Sequence, residues 1–380
     1  MSKTRLQIQE SGVIYRNPLP GHQAVSITHP CIVALSETEL LCSAKHGQGQ
    51  YAADNMVHLH RSLDGGRTWR HEGPLRDRKK DRVHYQYSAA LMTTLRDGSL
   101  LMCNWRCDRS DPDKLYVNPK TGGSQPLEFA YFRSTDGGRT WSEPVVGKFS
   151  PPAKGMIHAF GGPVVELANG EWLQHAEPWI EYDSTLPYDV RTYVMFSGDQ
   201  GRTWSEPMDI ANGLTHDRGY SHCHVIPLPD GRLFSLYWTM NATMTEFYDL
   251  HWNTSTDAAC RKWTKPEPTG IVGQSAYPVV VDDRRLAIIY SERDSKQPGI
   301  KVVLSEDMGK TWDVANAVVV WDAYGKEALG VPMTSTYPSS HDAIAYGAPH
   351  ICKLNECELI ATWWCTQSSD THVRWARLEV

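Results

Sequence analysis

Short apolar runs, each of strand length and each ended by turn residues, divide this chain from one end to the other, and no stretch sustains a helical period. One strand–turn–strand unit recurs six times. It reads HPCIVALSETELLCSAKHG from His29, SAALMTTLRDGSLLMCNWRCD from Ser88 and GGPVVELANGEWLQHAEPW from Gly161. It continues as SHCHVIPLPDGRLFSLYWTM from Ser221, AYPVVVDDRRLAIIYSERD from Ala276 and YGAPHICKLNECELIATWW from Tyr346. Three of its turns, Arg96-Asp97-Gly98, Ala168-Asn169-Gly170 and Pro229-Asp230-Gly231, carry the Asp-Gly or Asn-Gly chemistry of tight hairpins. The flanking runs are rich in β-branched and aromatic residues, which favour strands.

A second unit alternates with the first. The pattern S-x-D-x-G-x-T-W occurs at Ser62–Trp69, Ser134–Trp141, Ser197–Trp204 and Ser305–Trp312, with a longer, degraded copy at Ser255–Trp263. It too reads as a hairpin. The Asp accepts bonds from the following amides, Gly supplies positive φ, and Trp folds over the turn. Two hairpins per repeat give four strands. Six such sheets around an axis predict an all-β, six-bladed propeller of four-stranded antiparallel blades. The last copy has room for only three strands, so the segment Leu6–Tyr15 is expected to close it and remove an open edge. No internal linker interrupts the pattern, which predicts a single domain over residues 1–380.

Composition narrows the function classes. The net charge of −6 gives no electrostatic case for nucleic acid or an anionic membrane. The N-terminal segment lacks the apolar core of a signal peptide, and no run is long enough to span a bilayer. Nine cysteines, scattered through strand-like runs, predict buried thiols in a reducing compartment and hence a cytoplasmic protein. Their spacing does not match a zinc site, and no metal or cofactor is expected. A homo-oligomer is left open.

The aspartate-box (BNR) hairpins and the strand pattern together resemble the sialidase (neuraminidase) superfamily, over nearly the whole chain. The resemblance implies that Asp64, Asp136, Asp199 and Asp307 are structural, on outer hairpins, and that chemistry belongs at the mouth of the central channel. The residues at those positions are His29, Lys45 and His46, then Tyr85, Tyr87 and Arg106, then His158 and Glu177, then Tyr220 and His222. Tyr277, Glu292, Arg293, His341, Asp342 and Tyr346 complete the set. Such a mouth suits a polyhydroxylated or anionic ligand, and the expected partner is a small carbohydrate. Trp105, Trp179 and Trp238 are placed to stack on sugar faces.

Carried over position by position, the resemblance makes Tyr346, in Ala345-Tyr346-Gly347, the nucleophile, and Asp54, eight residues before Ser62, the general acid. The other positions depart from the family. Thr28 stands where the first carboxylate-binding Arg belongs, in Ile27-Thr28-His29-Pro30. The assisting Glu falls on His222 and the second Arg on Trp238, while Arg293 lies a few residues from the third. Each charge-assisted bond lost from a buried anion site costs on the order of 1.5–3 kcal/mol, so an ordinary sialidase is not expected.

Three readings follow. In an exo-acting glycoside hydrolase, Asp342, Glu292 or His222 takes the Tyr346 proton and Asp54 or Glu177 protonates the leaving oxygen. In a uronate-type lyase, Arg106 or Arg293 neutralises the carboxylate while His158, His222 or Tyr346 serves as base or acid. In a sugar-binding propeller none of these groups is catalytic. His46, Tyr87, Glu177, Trp238, Tyr277, Arg106 and Arg293 are the expected substrate contacts. His222 and His224 share one strand face, which can make a metal-ligand pair; His58 and His60 read as a solvated face.

Overall fold

The computed structural model describes residues 6–213, 218–293, 297–323, 345–367 and 370–380. His341 and Asp342 lie outside the described residues. The chain is an all-β propeller of short antiparallel strands. Among the described residues the strands form five hydrogen-bonded sheets. Four are separate. One is built from Tyr85–Thr94, Leu100–Asp108, Glu128–Ser134 and Val145–Val146, and the next from Trp172–Ile180, Arg191–Ser197 and Met208–Asn212 with an inner strand split into Met156–Ala159 and Val165–Glu166. The third runs Gly219–Pro227, Leu233–Met240, His251–Thr254, Glu267–Pro268, and the fourth Ala276–Val280, Leu286–Glu292, Gly299–Ser305, Val318–Asp322.

The fifth sheet differs from the expected arrangement because it has eight strands. Tyr346–Lys353, Glu358–Gln367 and Asp370–Glu379 precede Ser26–Ala34, Leu40–Gly47, Met56–Ser62 and Arg70–Pro74. The backbones of the two halves pair at one parallel position, Ser26 with Thr371, and an apolar cluster of Ile27, Ile32, Ile360 and Trp364 joins them. The N-terminal strand Gln7–Tyr15 pairs antiparallel with Asp370–Glu379, from Gln7–Glu379 to Tyr15–Val373. Chain ends are thereby hydrogen-bonded to each other, and the edge of Asp370–Glu379 is covered.

Burial follows strand position. The second strands, Trp172–Ile180 and Leu233–Met240, are buried at every residue, as expected where both faces meet a neighbouring sheet. The outer strand Arg70–Pro74 is largely exposed. Apolar clusters therefore sit between sheets: Leu41 and Val57 pack against Tyr87, Met102 and Phe132 of the next sheet.

The boxed sequences form the turns between third and outer strands. Asp136 is typical. Its Oδ1 accepts from Thr140 N at 2.9 Å and Ser134 Oγ at 2.8 Å, and its Oδ2 accepts from Thr140 Oγ1 at 2.6 Å. Ser134 Oγ in turn accepts from Gly138 N, and Trp141 Nε1 donates to the Gly138 carbonyl. The same bonds recur around Asp64 and Asp199. At Asp307 the carboxylate bonds persist, but Trp312 Nε1 finds no partner among the described residues. In the degraded copy Asp257 accepts from Arg261 N and Lys262 N, and Cys260, at φ 56°, occupies a left-handed position that the first two boxes give to glycine.

Candidate functional site

A β-bulge interrupts the inner strand of several sheets near its axial end. Pairing slips between Thr28 and Cys31, between Tyr87 and Ala89, between Ser221 and His224, and between Gly347 and His350. The bulge residues His29, His222 and Ala348 adopt φ of 52°, 48° and 41°, and Phe160, where the third inner strand breaks, adopts 49°. A non-glycine residue held there costs on the order of 1–2 kcal/mol. Such strain concentrates where the backbone must aim a side chain at a ligand. All four residues, and Ser88 at the remaining slip, line one axial cavity.

The cavity has an aromatic wall and a basic rim. Phe160 lies edge-on to Trp105 and Trp179, at centroid separations of 5.7 and 5.5 Å, and stacks on His222 at 5.0 Å. Trp238 meets the other side of His222 at 5.4 Å. Deeper, Tyr277 lies 4.0 Å from the His350 ring and 4.6 Å from that of His224. Burial holds His350 down to about 3, and holds His224 well below the usual imidazole range. Both rings are therefore neutral at pH 7. Among the described residues no Asp or Glu lines this cavity.

Two cations do. Lys45, 4 % exposed, donates from Nζ to the Gln50 carbonyl at 2.7 Å, and burial lowers its ammonium to about 7. That brings an amine into the range useful for proton transfer near neutrality. Arg293 is braced by Gln274 Oε1 and, at 2.6 Å, by the Tyr346 carbonyl. Gly347 permits this approach, because a Cβ there would collide with Arg293 Nη2.

Glu177 stands behind the lining rather than in it. Its carboxyl accepts from Ser221 Oγ at 2.7 Å and from the His222 amide, fixing the bulge that presents His222. Burial pushes it up to about 8 against the pull of those bonds.

Of the residues singled out in the sequence, His29, Lys45, His222, His224, Arg293, Trp238 and Tyr277 share the cavity lining, with Trp105 and Trp179 in its aromatic wall. The others lie elsewhere. Tyr346 is 3 % exposed, donates its hydroxyl to the Glu292 carbonyl at 2.7 Å and packs on Trp321, off the lining. Asp54 is exposed and accepts from Gln48 N. Glu292 pairs with Lys301 at 2.6 Å. His158 Nε2 donates to the Ser150 carbonyl at 2.7 Å, so its Nδ1 accepts from the Tyr193 hydroxyl at 2.6 Å and neither nitrogen is left for catalysis. Arg106 pairs with Glu128 and covers the Tyr85 ring, and Tyr87 donates to Asp81. His46 joins His58, His60 and His71 in a cluster of rings away from the lining. That cluster also corrects the solvated-face reading, since His60 is fully buried and His58 half-buried.

Position in the repeat puts Lys45 at the mouth without assigning it a role, and it does not single out Phe160, Tyr51, Tyr116 or His350. The signal was present: His29-Pro30, Phe160-Gly161 and Ala348-Pro349 put a Pro or Gly after the bulge residue in three copies of the repeat.

No helix among the described residues is long and apolar enough to cross a membrane. All nine cysteines are free thiols. No curated protein sequence matches the chain. Solved structures do. A protein of unknown function from Dyadobacter fermentans DSM 18053 is 18 % identical with a TM-score of 0.70, covering 99 % of both chains. The Hadza microbial sialidase Hz136 is 14 % identical with a TM-score of 0.66, over 98 % of this chain and 69 % of the other. The α-L-arabinanase of Penicillium chrysogenum, solved with arabinobiose, is 15 % identical with a TM-score of 0.61, over 98 % of each. At these identities the likeness is one of fold. The model of the BNR repeat-like domain matches residues 110–323. With more than half of its length inside that match, the chain belongs to the BNR repeat-like domain family.

Proposed function

We propose that the axial cavity binds a small glycoside carrying a carboxylate and cleaves it by β-elimination. The observation that carries this reading is the lining itself: aromatic faces for sugar rings, Lys45 and Arg293 as cations, several imidazoles, and no carboxylate among the described residues. Elimination beside a uronate needs a cation on the carboxylate, a base for the adjacent carbon-bound proton and an acid for the leaving oxygen. Arg293, held rigidly by Gln274 and the Tyr346 carbonyl, suits the first role. Lys45, neutral above about pH 7, suits the base. His222, held by Glu177 through its backbone, suits the acid. In the step, Lys45 accepts the proton, its electron pair forms the new double bond, and the bond to the leaving oxygen breaks as that oxygen gains a proton from His222.

Hydrolysis is the second reading, favoured by the sialidase and the arabinanase among the similar folds. It needs a nucleophile or a pair of carboxyl groups at the sugar. Against it stand the Tyr346 hydroxyl, committed to the Glu292 carbonyl, and the place of Glu177 behind His222. Incubation with uronate-containing oligosaccharides, sialosides and aryl arabinosides separates the readings. Elimination predicts ultraviolet absorbance from an unsaturated uronate and no released phenol. Phenol or sialic acid without that absorbance overturns it, and calorimetric binding without any product favours a sugar-binding role.

We also propose that the ring is one domain of six blades. On this reading the eight-stranded sheet is two four-stranded blades, first and last, bridged at Ser26 and Thr371. The nine free thiols support a reducing, cytoplasmic setting.

A further inference from the structure

Outside the axial cavity, the face of Leu40–Gly47, Met56–Ser62 and Arg70–Pro74 carries a concentration of imidazoles that the sugar chemistry does not use. His60 pairs with His71 across two strands, and His46 pairs with Met56, two residues from His58. Strand alternation therefore turns all four histidines to one side. The His46 and His58 rings are parallel at 4.2 Å, His58 and His71 lie 5.1 Å apart, and His60 sits 5.0 Å from His71. Tyr15, from the N-terminal strand, covers the group at 4.7 Å from His71.

We propose that His46, His58 and His71 bind a borderline divalent transition metal ion, Zn2+ being the reference, with His60 as a fourth imidazole beneath it. One ring nitrogen from each of the three lies within 4.8 Å of the others. Nitrogens bound to one tetrahedral zinc at about 2.1 Å stand about 3.4 Å apart, so the rings need to close by about an ångström. Their strands are adjacent in one sheet and rigid, as a preformed site requires.

The bland alternative, a packed group of neutral imidazoles, explains one contact. His58 Nδ1 and His71 Nε2 are 2.8 Å apart and share a proton. It leaves His46 Nε2 without a hydrogen-bond partner among the described residues and gives the fully buried His60 no bond of ordinary geometry, its one nearby acceptor being the Cys42 carbonyl. Orphaned buried nitrogens of this kind are costly, and a cation among them removes the cost.

The donor set selects the ion. Imidazoles without a carboxylate suit Zn2+, Ni2+, Co2+ or Cu2+ and not the oxygen-seeking Ca2+ or Mg2+. His71 is exposed, which gives an entry path. None of the four residues lines the axial cavity, so the ion does not touch a sugar there; it clamps the outer strand Arg70–Pro74 to its neighbours.

The test is titration of chelator-treated full-length protein with ZnCl2 by calorimetry and with CoCl2 by visible absorption. One ion per chain, ligand-field bands from bound Co2+, a raised melting temperature with Zn2+ and no response to MgCl2 are expected. His71→Ala, at an exposed position, and His58→Gln should each weaken Zn2+ binding at least about ten-fold while circular dichroism shows the fold unchanged. Absence of both heat and bands overturns the proposal. So does binding whose affinity neither substitution alters.

Discussion

The outer box turns and the inner bulges solve the same backbone problem with opposite results. Both need residues with positive φ. In the boxes around Asp64 and Asp136 the chain uses pairs of glycines, at φ 70° and 97° and at 68° and 78°, and the side chains present serve the turn's own amides. At the axis the corresponding residues are His29, Phe160, His222 and Ala348, a different side chain in each copy. The box repeats because its partners are backbone atoms, which are the same in every repeat. On the proposed function the bulge varies because its partner is a ligand, which meets each sheet from a different side. The first two boxes avoid the strain with glycines, the later boxes keep one strained residue each at Gln200, Cys260 and Met308, and the axis keeps four.

That contrast is most easily broken at Lys45. Lys45→Met keeps the aliphatic stem but removes the base, and turnover is expected to fall at least about 100-fold with no loss of melting temperature. An equal loss on both measures would make Lys45 a structural residue. Arg293→Met is expected to raise KM for a carboxylate substrate about ten-fold or more while leaving a carboxyl-reduced analogue unaffected; equal effects on both would remove the anchoring role. In a box, Asp136→Ala should do the reverse. Melting temperature drops by several degrees, kcat stays unchanged, and a lowered kcat would deny the separation of the two regions.

Smaller effects sharpen the comparison. Gly138→Ala, at φ 78° with Leu41 in the path of the new Cβ, should lower the melting temperature. Ala348→Gly, at φ 41°, should not, since relief of the left-handed strain offsets the added freedom of the unfolded chain. Glu177 adds a pH signature. Its folded value, about 8, lies above the ordinary 4.5, so the native state holds the extra proton between those values. Stability from this group is full below pH 4.5 and is lost as pH rises through about 8. Chemical denaturation at pH 5 and pH 8 should show that loss in the wild type and a flatter profile in Glu177→Gln.

Much of the architecture was legible in the sequence because boxes and turns are local. An Asp, a Gly and a Trp at fixed spacing specify a hairpin without reference to the rest of the chain. The site was legible only in part. His222, Trp238, Tyr277 and Arg293, expected at the mouth from their places at strand ends, line the cavity. Tyr346 and His158 were misplaced because alternation assigns a residue to a face, and a bulge adds a residue and reverses the parity beyond it. Tyr346 precedes the slip at Gly347 and turns toward Trp321 instead of the axis. His58 and His60 looked solvated for a different reason. Tyr15, which covers them, arrives from the far end of the closing strand pair, and no local pattern announces that contact.

The central claim is that the axial cavity breaks a glycosidic bond without adding water. Mass spectrometry of products formed in 18O-labelled water tests it directly with a uronate disaccharide. Elimination predicts an unsaturated uronate fragment with no 18O in either product, and loss of both products in Lys45→Met. Incorporation of one 18O atom into the product, retained in Lys45→Met and abolished in Tyr346→Phe, would contradict the account.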